Sequence, residues 1–207
     1  MQTEKTNEYK LFEKLFLKYL KVCVNMLKVR LVLLAVTLTI LIQCQYFPFA
    51  NFIIPQNGMF PNLPRGTKLI AKKNPYKSIT EIKKGDIILF NVHGKNGKFI
   101  YIWRVIGLPG DSVLSTKDKL VINGIEIKKT LLQRDSSTEI YNEVHSDSLN
   151  FKIAYDLNEH NVPPDISIKV PDNAVFVLGD NRLSAVDSRY SGPVLFKDII
   201  GKVLIHF

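Results

Sequence analysis

KFIYIWRVIGLPGD, Lys98 to Asp111, is a run of aromatic and β-branched residues that stops at a turn signal. Ile100, Tyr101, Ile102, Trp103, Val105 and Ile106 suit a pleated, half-buried strand. In the turn, Pro109 fixes one φ and Gly107 and Gly110 are free to take positive φ. The same alternation recurs on both sides: TKLIAKK and GDIILFNV before it, then KLVINGIEI, ISIKV, AVFVLGD and IIGKVLIHF after it. Each run is short and bounded by Gly, Pro, Asn or Asp, so the chain beyond Pro55 reads as mainly β. His93-Gly94-Lys95-Asn96-Gly97 reads as a hairpin loop, and Val121 to Glu126 as a tight Asn-Gly hairpin. Residues 130–165 are more polar and less periodic, and read as part of an extension of the same β-domain, over about 112–170, with exposed loops. There is no internal repeat and no low-complexity tract.

The first fifty residues have a different character. From Tyr9 to Arg30, Lys10, Lys14, Lys18, Lys21 and Lys28 recur at roughly helical spacing, with Leu11, Phe12, Leu15, Phe16, Tyr19 and Leu20 between them. That is a basic amphipathic helix, suited to an anionic lipid surface or to a docking partner. LVLLAVTLTILIQCQYFPFANFII, from Leu31, carries no charge through Ile54. One transmembrane helix over 31–49 is expected, with 1–30 before it and an exported β-domain over 50–207 after it. Residues 1–30 hold seven Lys/Arg against three acidic residues, and the next basic residue is Arg65. This asymmetry places the N-terminus in the cytoplasm and the C-terminal domain outside, in a single-pass membrane protein. Tyr46, Phe47, Phe49 and Phe52 then fall at the outer interface. A cleavable signal peptide fits less well, because the basic region is long and no small-x-small site follows the apolar run.

The formal charge of +9 and pI near 9.4 do not point to nucleic acid: no RRM, KH or zinc-finger pattern is present, and the first basic run abuts the apolar segment. Cys23 and Cys44 fall in or beside that segment, so the β-domain has no disulfide to form. His93, His145, His160 and His206 are scattered, and neither a metal site nor a cofactor is expected.

Four runs, taken in order, carry the functional signal: PQNGMFPNL (Pro55–Leu63), KKGDIILF, YIWRVIGLPGD (Tyr101–Asp111) and GDNRLSAVDSRYSGPV (Gly179–Val194). In the last, Asp180, Arg182, Asp187 and Arg189 make two acid/base pairs within ten residues, which suits a loop held by Arg–carboxylate contacts. Arg104 is either an exposed cation or a partner for one of the aspartates. Order, spacing and topology resemble the boxes of the type I signal peptidases, membrane-anchored serine proteases that remove signal peptides from exported proteins. Those boxes read approximately PSGSMxPTL, GDxxxF, YIKRVxGLPGD and GDNRxxSxDSRxxG.

The resemblance implies a signal-peptidase-like β-sheet or barrel domain and a Ser-Lys dyad, in which a hydroxyl attacks the scissile carbonyl and a neutral lysine takes its proton. Aligning on Met59 and Pro61 puts Gly58 at the nucleophile and, without a gap, Trp103 at the base. Glycine has no side chain to attack with, and an indole N–H donates but is no base near neutral pH. The serine that steadies the lysine aligns with Ala185, Ser184 lying one place earlier; the position associated with the oxyanion aligns with Gln56, and the usual threonine with Asn62. The retained framework is Met59, Phe60, Pro61, Arg104, Asp180, Arg182, Asp187, Ser188 and Arg189.

Loss of nucleophile and base together leaves at most residual binding and electrostatic effects. The sequence therefore reads as an inactive pseudo-peptidase, binding signal peptides or regulating a secretion partner such as an active peptidase. The alternative is an active signal peptidase, or a pilus-type maturation protease, with a relocated site drawing on Ser184, Ser188, Ser191, Lys68, Lys72, Lys73 or His206. In the first reading Phe60, Ile53, Ile54 and Trp103 line the peptide cleft. Trp103 itself blocks that cleft, offers an aromatic platform, or packs in the core.

Overall fold

The computed structural model describes residues 2–45, 47–94, 97–117, 119–159 and 162–207; within the first helix, side chains are described for residues 17–40. Tyr46, Lys95, Asn96 and His160, the side chain of Cys44 and those of the amphipathic run up to Phe16 thus lie outside the described residues.

The first element is helix α1, Gln2–Gln45. It contains neither Gly nor Pro, and Leu, Lys, Glu and Met, all good helix formers, make up much of it. Pro48 cannot continue a helix, and Phe49 already belongs to the first strand. The outer bound expected for the membrane span, Phe49, therefore falls outside the helix. Among the described residues the segment long and apolar enough to cross a membrane is Leu17–Ile40, with 24 residues and mean hydropathy 1.8. At about 1.5 Å per residue it spans about 36 Å, enough for a hydrocarbon core of about 30 Å. All of its described side chains are exposed. The chain divides into two compact units, Met1–Phe47 and Pro48–Phe207.

The second unit is mainly β. Its strands are β1 (Phe49–Ile53), β2 (Lys68–Lys73), β3 (Ile87–Gly94), β4 (Gly97–Gly107), β5 (Ser112–Ser115), β6 (Leu120–Ile122) and β7 (Ile125–Glu126). There follow β8 (Lys128–Arg134), β9 (Thr138–Ser146), β10 (Leu149–Asp156), β11 (Ile166–Lys169), β12 (Ala174–Leu178), the short helix α2 (Ser188–Ser191), β13 (Val194–Leu195) and β14 (Ile199–His206). They form an antiparallel seven-stranded sheet in the order β1-β2-β14-β3-β4-β12-β13, a three-stranded sheet β10-β9-β8 and a four-stranded sheet β11-β5-β6-β7. The last two are built by the polar extension, which is as much strand as the rest.

Both expected hairpins form. β3 and β4 pair from Ile87↔Arg104 out to Gly94↔Gly97, and β6 and β7 turn back through Asn123 and Gly124, both at positive φ. In the LPGD turn Gly110 takes φ +82, and the Asp111 carboxylate accepts the Leu108 N–H at 2.8 Å.

Strands β4 and β12 are buried on both faces at their paired ends and separate two cores. Trp103, Val105, Val175 and Val177 join Ile54, Met59, Leu63, Ile88 and Leu89 on one side. Ile106, Phe176 and Leu178 join Val113, Phe151 and Ile153 of the extension on the other. A bulge between Phe176 and Val177 interrupts the register where the strands meet. Side chains alternate across a strand, so Trp103 and its neighbour Arg104 serve different cores.

Candidate functional site

The loop from Ile54 to Thr67 is tied at its ends by Ile54 N–H to Thr67 O (2.9 Å) and Gly66 N–H to Ile54 O (2.8 Å). Inside it Met59 and Leu63 are fully buried and joined by a backbone bridge, and the Phe60–Pro61 peptide is cis. The carbonyl of Gly58 accepts the Asn181 N–H at 3.0 Å, which brings the first of the four sequence runs against the last.

Strand β4 supplies the third wall. Trp103 is 2% exposed and meets Tyr101 edge to face, with ring centroids 6.0 Å apart. Its six-membered ring lies against Gly58: a Cβ on that glycine would stand 2.5 Å from Cη2 and 2.7 Å from Cζ3. Gly179 is held just as closely, since its Cβ would run into the Ala185 Cβ and approach the Gly58 carbonyl at 2.7 Å and Trp103 Cζ3 at 3.1 Å. Gly58, Trp103, Gly179 and Ala185 therefore form one tight packing unit. Trp103 Nε1 is buried with no protein hydrogen-bond partner among the described residues.

Little space is left beside the indole. The cavity there, lined by Ile54, Gln56, Met59, Tyr101 and Trp103 among others, holds about 40 Å³. A water needs about 10–15 Å³ of such volume and a ligand pocket several hundred. Phe60 and Ile53, expected as cleft residues, do not line it; Ile53 is 64% exposed. Alternation along β1 and the loop turns Ile54 inward and Ile53 outward. Gln56 is exposed at the rim.

The charged residues make a buried frame, with a pairing that differs from the sequence expectation. Asp180 pairs with Arg104, not with Arg182: Arg104 Nε and Nη2 donate to its two oxygens at 2.8 and 2.6 Å. Asn62 donates to Asp180 as well, at 2.7 Å, and to the Lys152 carbonyl at 2.7 Å. Arg104 also lies over the Phe151 ring, 4.3 Å from its centroid. Asp187 and Arg189 do pair within the loop, at 2.8 and 2.7 Å. Asp187 Oδ2 further accepts the Gly179 N–H at 2.9 Å, fixing the glycine that faces the indole.

Arg182 reaches instead to Glu143 on β9, at 2.6 Å, and Glu143 also meets His145 at 2.7 Å. Burial by itself would raise the Glu143 carboxyl, but the Arg182 charge and hydrogen bonds from His145 and Arg182 hold it down at about 2. Burial likewise opposes the charge of Arg182, and Glu143 more than restores it. Glu143 and His145 had no signal in the sequence: they alternate with other polar residues in a strand of the polar extension.

Among the described residues none of the serines considered for a relocated dyad has a base. Ser188 Oγ is fully buried and accepts the Val177 N–H at 3.0 Å, and Ser191 Oγ donates to the Asp187 carbonyl at 3.1 Å. Ser184 lies on a cleft with Val162, Val186 and Tyr190, a different set of residues from those around Trp103. Lys68, Lys72, Lys73 and His206 are exposed on β2 and β14. Among the described residues no serine hydroxyl is hydrogen-bonded to a lysine or a histidine, and no group of three His, Cys, Asp or Glu side chains converges as a metal site.

Compared with known proteins, residues 25–207 match the family model described as "Signal peptidase, peptidase S26". This chain belongs to that family. It is 33% identical to a signal peptidase I of Bacillus caldolyticus over 81% of its own length and 84% of the relative. To signal peptidase I T of Bacillus subtilis it is 31% identical, over 82% of its own length and 77% of the relative. A crystal structure of a signal peptidase I from Enterococcus faecalis is 28% identical, covering 60% of this chain and 97% of that one with a TM-score of 0.35. The family frame thus surrounds a centre in which glycine and tryptophan are packed against each other.

Proposed function

We propose that this membrane-anchored member of the signal peptidase family does not hydrolyse peptides, and that it acts by binding a signal-peptide-bearing protein or an active peptidase. One observation carries the reading: the Trp103 ring occupies the space that any side chain on residue 58 would need. A nucleophile and its base must lie within hydrogen-bond reach of each other, beside donors aimed at the oxyanion. Here the two aligned positions hold a residue with no side chain and one with no basic nitrogen. Burial of the indole and the water-sized cavity beside it favour a filled, structural centre over an aromatic platform. The N-terminal basic excess favours a cytoplasmic N-terminus and an extracytoplasmic Pro48–Phe207 unit.

The test is a cleavage assay with the purified full chain in neutral detergent, a preprotein bearing a signal peptide, and an active family member as control. No cleavage is expected. Cleavage abolished by Ser184→Ala, with a host peptidase excluded, overturns the proposal and favours a relocated site. The restoration arm uses Gly58→Ser with Trp103→Lys, with Ala185→Ser added in a further variant. Cleavage regained there demonstrates that substrate still docks on the family frame.

A further inference from the structure

Away from Gly58 and Trp103, a cavity of about 440 Å³ opens between the β5–β6 turn, the start of β8 and the loop that follows β12. Its walls are basic. Lys117 and Lys119 reach it from the turn, Lys128 and Lys129 from β8, and Arg182 from the loop. Among the described residues the carboxylates facing it are Glu126 and Glu143, and Glu143 is already engaged by Arg182 and His145. Arg189, which also lines the cavity, is engaged by Asp187. Among the described residues Lys117, Lys119 and Lys128 form no ion pair with a carboxylate. Among the described residues three such lysines thus face one carboxylate, Glu126, that no ion pair engages.

A second observation is independent of that charge. Arg182 is 5% exposed; its Nη2 is bonded to Glu143, yet its Nε is buried with no hydrogen-bond partner. Ser115, 4% exposed, presents a hydroxyl to the same cavity with no side-chain hydrogen bond among the described residues. Lys129 Nζ is steadied by the Tyr155 hydroxyl at 3.0 Å and by the Tyr141 and Tyr155 rings. Ammonium groups from the turn and from β8, together with the Ser115 hydroxyl, suit an anion with several acceptor oxygens.

We propose that this cavity binds a phosphoryl group, carried by a free phosphate or by an anionic lipid headgroup. A carboxylate would use two acceptor oxygens, whereas a phosphate presents three or four to donors arriving from three directions. Lysine serves here as a point charge for such an anion. The cavity's volume is within the range of small-ligand sites. The inference is independent of whether the chain cleaves peptides.

The test uses the full chain in neutral detergent at constant ionic strength. Calorimetric titration with pyrophosphate and with inorganic phosphate forms one arm. Titration with short-chain phosphatidylglycerol below its micelle concentration, against phosphatidylcholine of the same length, forms the other. Saturable binding of a phosphate or of phosphatidylglycerol is expected, weakened about tenfold or more by Lys119→Gln with Lys128→Gln, the loss of a charge-assisted contact. These lysines are exposed and form no ion pair among the described residues, so the variant's unliganded melting temperature stays at the parent value. Phosphate binding with no preference for phosphatidylglycerol assigns a free anion; the reverse assigns a headgroup. An absence of saturable binding in both arms overturns the proposal. So does binding that chloride matches, or that the double variant leaves unchanged.

Discussion

A methyl group added at residue 58 tests the packing that underlies the functional reading. In Gly58→Ala the new carbon would stand 2.5 and 2.7 Å from two Trp103 ring carbons, where carbon atoms prefer about 3.5–4.0 Å. The ring has no easy retreat, because it is 2% exposed and Gly179 borders it within 3.1 Å of a would-be Cβ. Overpacking of this kind costs about 1–3 kcal/mol. Trp103→Leu removes the opposing carbons and the orphaned indole N–H, at a cost below the about 3–5 kcal/mol of complete truncation. On the Trp103→Leu background Gly58→Ala should then cost less than about 0.5 kcal/mol, a coupling of about 1–3 kcal/mol with the double variant more stable than the sum. Urea unfolding of the full chain in neutral detergent, followed by tyrosine fluorescence so that loss of the tryptophan does not remove the signal, measures all four proteins. Equal cost of Gly58→Ala on both backgrounds refutes the claim that the indole occupies the space of a residue-58 side chain.

Other outcomes follow from the buried frame and the anchor. Asp180→Ala strands Arg104, which is 8% exposed, and should cost about 3–5 kcal/mol in the same unfolding measurement. Glu143 has a carboxyl held at about 2 against an ordinary 4.5. Its contribution is fully present above pH 4.5 and is lost as pH falls through about 2, because the unfolded chain binds the proton first; the slope reaches at most about 1.4 kcal/mol per pH unit. Glu143→Gln should flatten that window in acid-unfolding curves. A tag at the N-terminus should resist protease added outside intact cells, while the Pro48–Phe207 unit is digested.

Much of this protein is legible along the chain because the information is local. A period of two between Gly, Pro and Asn signals gives strands wherever the chain falls, and the LPGD and Asn-Gly turns depend only on neighbouring dihedral angles. An uncharged stretch with lysines before it likewise reports a helix apolar enough to cross a membrane, although the helix ends at Gln45, before Pro48, and not at Phe49. The motif order alone was enough to place the chain in its family and to pair Gly58 with Trp103 as aligned positions, 45 residues apart in sequence.

Contacts between distant elements needed the folded structure. Nothing in GDNR tells Asp180 to choose Arg104 on β4 and Arg182 to choose Glu143 on β9, because the choice depends on which strands the fold sets on either side of the loop. The polar extension hid both that carboxylate and a second core, since half of each strand there faces solvent and dilutes the apolar pattern. From sequence, Trp103 stood open between a plug, a platform and a core residue. Burial, and the contact of its ring with a glycine, are properties of strands brought together across the sheet, and they alone distinguish a packed centre from an open one.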